Sequence, residues 1–556
     1  MKLFPIMLFF SLLFGHPGDR TYPVAAVDPK NTRDYPGGRG ENQLIIYTPA
    51  YGKMSSGTNQ WGMEAVVKQN VVISVGGNNS RIHEGEFILS GHGNAKEFLL
   101  RNVKIGAKVF FTDTTVTVSF DRESFRVYVS MRKGSLEEKF KRMQPQFNDS
   151  ERTVLRKALD SLEVFSDSAT FVSTTALDSL DYVQELHMMN ELEYRLTASP
   201  AAEGRGVRYA PVEKNSDKIS AFVKHIADAG FNMLFLETVR LGQTIYPGFI
   251  AKQQKDFVGF DPLRSFLEEG EKFGIEVHVV IHPFLIGVIG ENGDSAISPV
   301  YSQNPEWQVV NRSGERVSKS EPGNLFLNPA HPEVRDFAAS IIKEIRTNYP
   351  DLSGIHLADV RYPVSVPLEE SADYSETSRK IFKEQTGIDP LEIDPAANPE
   401  QWNAWQLWRE QIITNFMKRI RWENPEVLLS ADIFPDIEES QKTTMQNWAE
   451  WTNNGFVNVI SPVIHSEQAE SINEAAGKIR LIIGESLPMY IELAASDQRT
   501  HIQLLQQIER CREVRSAGII FSSVSDLSDE QLRLLRIGPF RNSAQPPTEI
   551  KMNTKQ

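Results

Sequence analysis

From Gly204 onward the sequence repeats one pattern, a short apolar run typical of a buried strand followed by an amphipathic stretch with helical spacing. Eight such runs occur over residues 204–540, among them NMLFLETV, IEVHVVIHPFLI and GIIFSSVS. Alternating strands and helices build a parallel sheet covered by helices, and eight repeats suit a closed barrel. The alternative is a doubly wound open sheet, but the first strand is not followed by the Gly-rich phosphate loop of that fold. We therefore predict an α/β fold with a (β/α)8 TIM barrel.

The residues before the barrel have a different texture. Residues 42–121 hold short β-branched and aromatic runs broken by Gly and Asn, which predicts a small β-rich module. Residues 122–203 hold charged stretches with Leu at helical spacing, which predicts a helical connector. We expect residues 27–41, rich in Pro, Gly, Asp and Arg, to form an exposed lead-in, and residues 541–556 to form a disordered tail.

The first residues, MKLFPIMLFFSLLF, are one Lys followed by a mostly apolar run. This pattern predicts a signal peptide over residues 1–26, with cleavage beside Val24-Ala25-Ala26 or, alternatively, at Gly15. The run is too short to cross a bilayer as a stable helix, although an uncleaved anchor is the other interpretation. We expect a secreted, periplasmic or cell-envelope protein with no integral membrane span beyond the signal segment.

The charge of the chain limits its partners. Asp and Glu number 73 against 59 Lys and Arg, so the formal net charge is −14, and neither half carries a basic stripe. Nucleic acids and anionic membrane surfaces attract basic proteins. We therefore expect neither as a partner.

Polar residues at the C-terminal ends of the predicted strands are the candidates for an active site, because active sites of (β/α)8 barrels lie there. Glycoside hydrolysis needs one carboxyl group to protonate the leaving oxygen and another to attack or to activate water. We predict Glu237, Asp359 and Asp432 for these roles. For each, the alternative is a structural ion pair or a helix cap. The residues predicted to bind substrate are His356, Arg361, Tyr362, Glu492, His282, Trp307, Tyr246, His465 and Arg240.

This chemistry requires no metal or organic cofactor. A zinc hydrolase is the alternative, since several His residues lie on or after the predicted strands. His278 and His282 are four residues apart on one strand, about 13 Å along it, and cannot grip one ion. We therefore predict no metal site.

Several segments between Gly204 and Leu527 resemble, in the expected order, the glycosyl-hydrolase-like 10 family. They include FNMLFLETVRLGQTIYPGF, LNPAHPEVRDF, GIHLADVRYP, SADIFP and the W-x-x-W-x-x-x-G-x-V run from Trp448. The resemblance implies an exported barrel that acts on a cell-wall or other extracellular polysaccharide, so carbohydrate is the expected partner. In the β-rich module, TNQWGMEAVV and FILSGHGNAKEFL are similar to parts of a phosphodiester-glycosidase domain, where His92 is either catalytic or a structural turn residue.

One departure from the family pattern bears on catalysis. Relatives typically carry an Asp in the fourth strand, within sequences such as HLDYIRYP or HFDDYFYP, and this chain has Ala358 at the first Asp position and Asp359 next. Because side chains alternate along a strand, Ala358 is expected to face the barrel interior and Asp359 to point away, unless the strand end bulges. The second functional hypothesis is therefore a glycan-binding pseudoenzyme with the same barrel.

Overall fold

The structure is a computed structural model, and it describes residues 19–30, 42–59, 62–168, 180–290, 295–464, 469–496 and 501–547. The chain divides into two compact units, Met1–Ala198 and Ser199–Gln556. In its described parts, no helix combines the length and the hydropathy that a bilayer crossing needs.

The described residues of the first unit form an eight-stranded sheet and four α-helices. The strands run in the spatial order β1-β8-β7-β5-β4-β6-β3-β2, and all pairs are antiparallel except β2–β3. The strands are β1 (Arg20–Pro23), β2 (Ala26–Val27), β3 (Leu44–Tyr47), β4 (Met63–Lys68), β5 (Val71–Val75), β6 (Glu86–Gly91), β7 (Lys108–Phe111) and β8 (Thr115–Ser119). The helices are α1 (Asn94–Asn102), α2 (Arg122–Met143), α3 (Asp149–Ser168) and α4 (Leu180–Arg195).

Helices α2 to α4 share one apolar core with this sheet. Leu89 and Val109 of the sheet belong to the same buried cluster as Phe125, Leu159 and Leu192 of the helices. Each sheet or helix buries one apolar face, and here the two faces cover each other. The segment predicted as a separate helical connector is therefore part of the β-rich unit.

The structure also changes the predicted ends of this unit. Strand β1 pairs with β8 along Arg20–Pro23, so cleavage after residue 26 would remove a strand of the sheet, whereas cleavage near Gly15 would keep it. Val27 pairs with Ile46, so the predicted exposed lead-in begins with a paired strand. Residues 1–18 and 31–41 lie outside the described residues.

The second unit is a closed barrel of eight parallel strands, which confirms the predicted fold class. The barrel strands are β9 (Gly204–Tyr209), β10 (Met233–Arg240), β13 (Glu276–Ile281), β17 (Gly354–Leu357), β18 (Leu429–Ile433), β19 (Val459–Ile464), β20 (Tyr490–Ala494) and β21 (Gly518–Ser522). Closure comes from the pairing of β21 with β9, in register from Gly518↔Gly204 to Ser522↔Arg208. The short loop strands are β11 (Gln243–Thr244), β12 (Lys252–Gln253), β14 (Leu285–Ile289), β15 (Ser295–Ile297) and β16 (Asn324–Phe326).

Helices alternate with these strands. They are α5 (Ser216–Asp228), α6 (Pro262–Phe273), α7 (Pro299–Gln303), α8 (Pro332–Asn348), α9 (Glu376–Thr386), α10 (Pro399–Glu423), α11 (Ile437–Thr444), α12 (Trp448–Asn453), α13 (Ala469–Ile483), α14 (His501–Glu513) and α15 (Asp529–Ile537). Their ends follow local chemistry. Asp261 accepts a hydrogen bond from the Arg264 amide at the start of α6, and Gly274 ends that helix in the left-handed conformation with φ 70°.

The predicted disordered tail begins with ordered residues. Gln545 forms a β-bridge with Ala202, and the Asn542 carbonyl accepts a hydrogen bond from Arg205. Residues 541–547 are thus bound to the barrel, and residues 548–556 lie outside the described residues.

The barrel interior is apolar toward one end and polar at the C-terminal ends of the strands. The apolar cluster includes Phe235, Val280, Tyr490 and Ile520. On β9 a Cβ at Gly206 would lie 2.9 Å from the Phe235 ring, so glycine makes room for that side chain. Side chains two residues further along a strand face the same way. The side chains of Glu237, Glu492 and Arg208 therefore also face the barrel interior, each one layer closer to the C-terminal rim than Phe235, Tyr490 and Gly206.

Candidate active site

Arg208 lies at the centre of a cluster of polar side chains at the C-terminal rim of the barrel. Its Nη2 lies 2.8 Å from Asp432 Oδ2 and 2.8 Å from Glu492 Oε2, and its Nη1 lies 3.8 Å from Glu237 Oε1. The guanidinium side chain is 11% exposed. One nearly buried cation therefore holds three of the carboxylates that the sequence predicted for the rim.

His356 extends this cluster into the barrel. Its Nε2 lies 2.7 Å from Asp432 Oδ1 and its Nδ1 lies 2.8 Å from Ser430 Oγ. His356 is fully buried, as its position on the inner face of β17 requires. Asp432 is thus fixed from two sides, by Arg208 and by an imidazole.

His282 connects two further carboxylates. Its Nε2 lies 2.8 Å from Glu237 Oε2 and its Nδ1 lies 2.9 Å from Asp359 Oδ2. On the far side of Asp359, Arg361 donates to Asp359 Oδ1 through Nε and makes a bidentate pair with Glu321. The rim is therefore a continuous series of alternating acidic and basic side chains from Glu321 to Glu492, which we call the charge chain.

The position of Asp359 corrects the sequence expectation. Alternation along β17 predicted that Asp359 points away from the interior, but the strand ends at Leu357 and Asp359 has φ 52°. A left-handed residue breaks the alternation of an extended strand, and Asp is among the residues that tolerate this conformation. The carboxylate consequently turns back to His282, while Ala358 lies buried in the apolar cluster, as predicted.

The charges of the neighbouring residues determine the protonation state of His282. Burial on its own would lower the pKa of His282, but the negative charges of Glu237 and Asp359 outweigh burial and raise that pKa to about 10. Burial would raise the pKa of Asp359, but Arg361 and His282 hold it well below its usual range. Burial would likewise raise the pKa of Glu237, but the positive charges of His282 and Arg208 outweigh burial and lower that pKa. At neutral pH His282 is therefore an imidazolium that donates to both carboxylates.

The carboxylates on the Arg208 side differ from one another. Burial is the largest effect on Glu492, and together with repulsion from Asp432 and Glu237 it raises the pKa to about 8 against the opposing charge of Arg208. For Asp432, burial is outweighed by Arg208 and His356, and its pKa is held below its usual range. Burial lowers the pKa of His356 despite the attraction of Asp432. Two adjacent carboxyl groups thus have opposite tendencies, Glu492 to keep its proton and Asp432 to lose it.

Three aromatic residues predicted to bind substrate lie elsewhere. Tyr246 is fully buried, with its hydroxyl donating to Glu344 of α8, so it offers no ring face to a sugar. Trp307 packs at 5.9 Å from Phe337 of α8 and donates from Nε1 to Glu333. Tyr362 is also fully buried, beneath the segment that carries Arg361. Apolar rings after the strands fill the space between loops and helices, which sequence alone does not distinguish from a sugar platform.

Two other predicted residues remain outside the charge chain. Arg240 lies exposed at the end of β10, close enough that its charge contributes to the lowered pKa of Glu237. His465 lies outside the described residues.

The sequence analysis missed Arg208 and Glu321. The available signal for Arg208 was a charged residue two positions after Gly206 on a predicted strand, where alternation places it inside the barrel. Glu321 lies in a loop between β15 and β16, and nothing in its local sequence points to Arg361.

The geometry of the rim bears on the alternative of a zinc hydrolase. Both ring nitrogens of His282 are directed at carboxylates, and the residues described by the structure contain no group of three or more His, Cys, Asp or Glu side chains arranged to hold a metal ion.

Comparisons with known proteins agree with the sequence resemblance. The family described as Glycosyl hydrolase-like 10 matches residues 197–487. Glycosyl hydrolase DigH of Escherichia coli (strain K12) is 26% identical over 184 residues, which cover 30% of this chain and 38% of that protein. Glycosyl hydrolase YngK of Bacillus subtilis (strain 168) is 20% identical over 279 residues, covering 46% and 50% respectively. The chain thus spans half or less of the length of these curated relatives.

Among solved structures, the catalytic domain of β-amylase from Paenibacillus polymyxa aligns with a TM-score of 0.42 and 14% identity, covering 60% of this chain and 95% of that chain. The α-L-fucosidase isoenzyme 2 from Paenibacillus thiaminolyticus aligns with a TM-score of 0.43 and 12% identity, covering 61% and 49%.

Proposed function

Since the chain belongs to the glycosyl hydrolase-like 10 family, we propose that it hydrolyses glycosidic bonds of a cell-wall or other extracellular polysaccharide with carboxyl groups at the barrel rim. The relatives DigH and YngK are named glycosyl hydrolases, which supports the reaction class. The export signal predicted over residues 1–26 is consistent with a substrate outside the cytoplasm.

The gathering of Asp432, Glu492 and Glu237 around Arg208 at the barrel rim is the observation that carries this proposal, and the opposite directions of the pKa shifts of Glu492 and Asp432 support it. Hydrolysis of a glycoside needs a protonated acid beside the leaving oxygen and an ionised group on the other side of the sugar. Glu492 retains its proton to about pH 8, whereas Asp432 is ionised at neutral pH. We assign Glu492 as the acid and Asp432 as the nucleophile or base.

The separation of the two groups bears on the mechanism. Both carboxyl groups contact Arg208 Nη2, so their nearest oxygens lie within about 6 Å of one another, which is less than the roughly 6.5–9.5 Å of inverting enzymes and favours a retaining mechanism. In that mechanism Glu492 gives its proton to the leaving oxygen while Asp432 attacks the anomeric carbon. Water then displaces Asp432 from that carbon and returns a proton to Glu492.

The remaining charged groups fit positioning roles. Asp359 is held by both His282 and Arg361, and the low pKa of its carboxyl suits a permanent anion better than an acid. Glu237 links His282 to Arg208. These groups would fix the Arg208 guanidinium and, through it, the orientation of Asp432 and Glu492.

Ala358 favours a second candidate function, a glycan-binding protein without catalysis. It occupies the interior position where relatives carry an Asp, and it lies in the apolar cluster rather than in the charge chain. A missing carboxylate removes transition-state stabilisation but leaves polar and aromatic binding surfaces intact.

One screen separates the two functions. Purified protein would be tested against peptidoglycan strands and acidic polysaccharides, with both binding and new reducing ends measured. The hydrolase proposal predicts new reducing ends that disappear with Asp432→Asn. Binding with no reducing ends on any of these polymers would contradict it, and hydrolysis that appears only in Ala358→Asp would establish the lapsed enzyme.

A further inference from the structure

A buried arginine on α10 lies outside the charge chain of the rim. The guanidinium of Arg409 has no exposed surface, and its Nη1 donates to Ser371 Oγ at 3.0 Å. Its Cζ lies 4.9 Å from the ring centre of Trp405 and 5.8 Å from that of Trp402. Among the described residues, no acceptor bonds its Nε or Nη2, and no carboxylate lies within 4.0 Å of it.

Asp373 is the acidic group that interacts electrostatically with Arg409, but its oxygens bond other donors. Asp373 Oδ1 accepts hydrogen bonds from the amides of Val310 and Ser375, and Oδ2 accepts from the hydroxyls of Ser375 and Ser378. The carboxylate is therefore fixed in an arrangement that does not pair it directly with Arg409.

Tyr362 adds a second kind of donor to this region. Its side chain is fully buried, its hydroxyl has no partner in the part of the chain that the structure describes, and it interacts electrostatically with Arg409 and Asp373. The indole N–H of Trp405, whose ring lies against the guanidinium, likewise finds no acceptor among those residues. Buried donors of this kind are almost always satisfied, and a buried cation that no carboxylate contacts directly is costly.

We propose that Arg409 and Tyr362 bind a small monovalent anion of halide size, with chloride as the expected occupant. An anion supplies the acceptor that two guanidinium N–H groups and one hydroxyl require. It also places a negative charge directly beside the guanidinium, which neither a water molecule nor the carboxylate of Asp373, bonded to other donors, does.

The position of this site connects it to the rim. Tyr362 directly follows Arg361, which pairs with Asp359 and Glu321. An anion held by Arg409 would therefore anchor the far end of the 359–362 segment, whose other end carries a charge of the candidate active site. The proposal does not depend on hydrolysis, because its test measures binding and stability.

The test uses protein prepared throughout in sodium gluconate, with sodium chloride or bromide exchanged in at constant ionic strength. The thermal unfolding temperature is expected to rise and saturate with either halide. Arg419→Gln serves as the matched control, because Arg419 lies on the same helix but pairs with Asp336 and Glu423 at the surface. This variant should respond to halide as the wild type does, whereas Arg409→Met should not respond.

A second variant and a direct measurement cover the case in which Arg409→Met does not fold. Tyr362→Phe removes one hydrogen bond to the ion and should weaken the apparent halide affinity about tenfold. Crystals grown in bromide should show anomalous density beside Arg409 Nε and Nη2. Equal unfolding temperatures in gluconate and chloride, or density at that place that scatters as water, would overturn the proposal.

Discussion

Replacing His282 by Gln tests the charge chain of the rim. His282 is 9% exposed and lies between two carboxylates, one of which, Glu237, is equally buried. Gln is similar in length and can donate one hydrogen bond, but it carries no charge. The variant would leave Glu237 and Asp359 facing each other across a neutral side chain.

The size of the effect follows from the buried geometry. Removing one partner of a buried ion pair costs about 3–5 kcal/mol, because the other charge stays buried and uncompensated. The folded pKa of His282 is raised above 6.5 to about 10, so its stabilisation is complete below pH 6.5 and is lost as pH rises through 10. Between those values the contribution falls by about 1.4 kcal/mol per pH unit. The difference between wild type and variant should therefore shrink by about 2–3 kcal/mol from pH 7 to pH 9.

Urea denaturation of both proteins over this pH range measures the difference. Other groups that titrate between pH 7 and pH 9, including Glu492, are present in both proteins. Their contributions therefore cancel from the difference in free energy of unfolding. His225→Gln, at an exposed position on α5, is the matched control and should change the free energy of unfolding at pH 7 by no more than about 0.5 kcal/mol. If His282→Gln lowers the free energy of unfolding equally at pH 7 and pH 9, the imidazolium assignment is refuted. It is also refuted if the variant does not lower that free energy at all.

Two further results are expected from the same rim. Arg208→Gln leaves the ionised carboxylates of Asp432 and Glu237 without their shared cation and should lower the free energy of unfolding at pH 7 by about 3–5 kcal/mol, measured by urea denaturation. This loss should diminish as the pH falls and the carboxylates protonate, and a pH-independent loss would contradict the charge argument. The hydrolysis rate should decline as pH rises through the Glu492 pKa of about 8, because the acid must hold its proton, and kcat/KM against pH measures this decline. A rate still rising above pH 9 would exclude Glu492 as the acid.

The barrel could be predicted because strand and helix periodicity is a local property of the sequence. The apolar runs around Leu236, Val280 and Ile520 each signal a buried strand without reference to the rest of the chain. The limits of the first unit were harder to predict. Whether helices α2 to α4 pack on the sheet or connect two domains depends on which surface covers their apolar faces, which their own sequences do not specify.

The candidate site was predicted where a carboxylate lies at the C-terminal end of a barrel strand. Glu237, Asp432 and Glu492 meet at Arg208 for this reason. Asp359 was expected to point away from the interior unless the strand end is irregular, and one left-handed residue makes it irregular. Sequence analysis could not place Tyr246 either, because a loop residue has no period that fixes its direction and packing against neighbouring helices decides it.

The most direct test of two-carboxylate hydrolysis is the turnover of Glu492→Gln on the polysaccharide that the wild type cleaves. Gln keeps the shape of a protonated Glu492 but cannot give up a proton, so kcat/KM, measured from new reducing ends, should fall about 10²–10⁴-fold. The unfolding temperature should remain at or above that of the wild type, because a neutral group replaces one with a raised pKa. Glu474→Gln, on the exposed surface of α13, should leave turnover unchanged. Wild-type turnover in a folded Glu492→Gln protein would contradict the account.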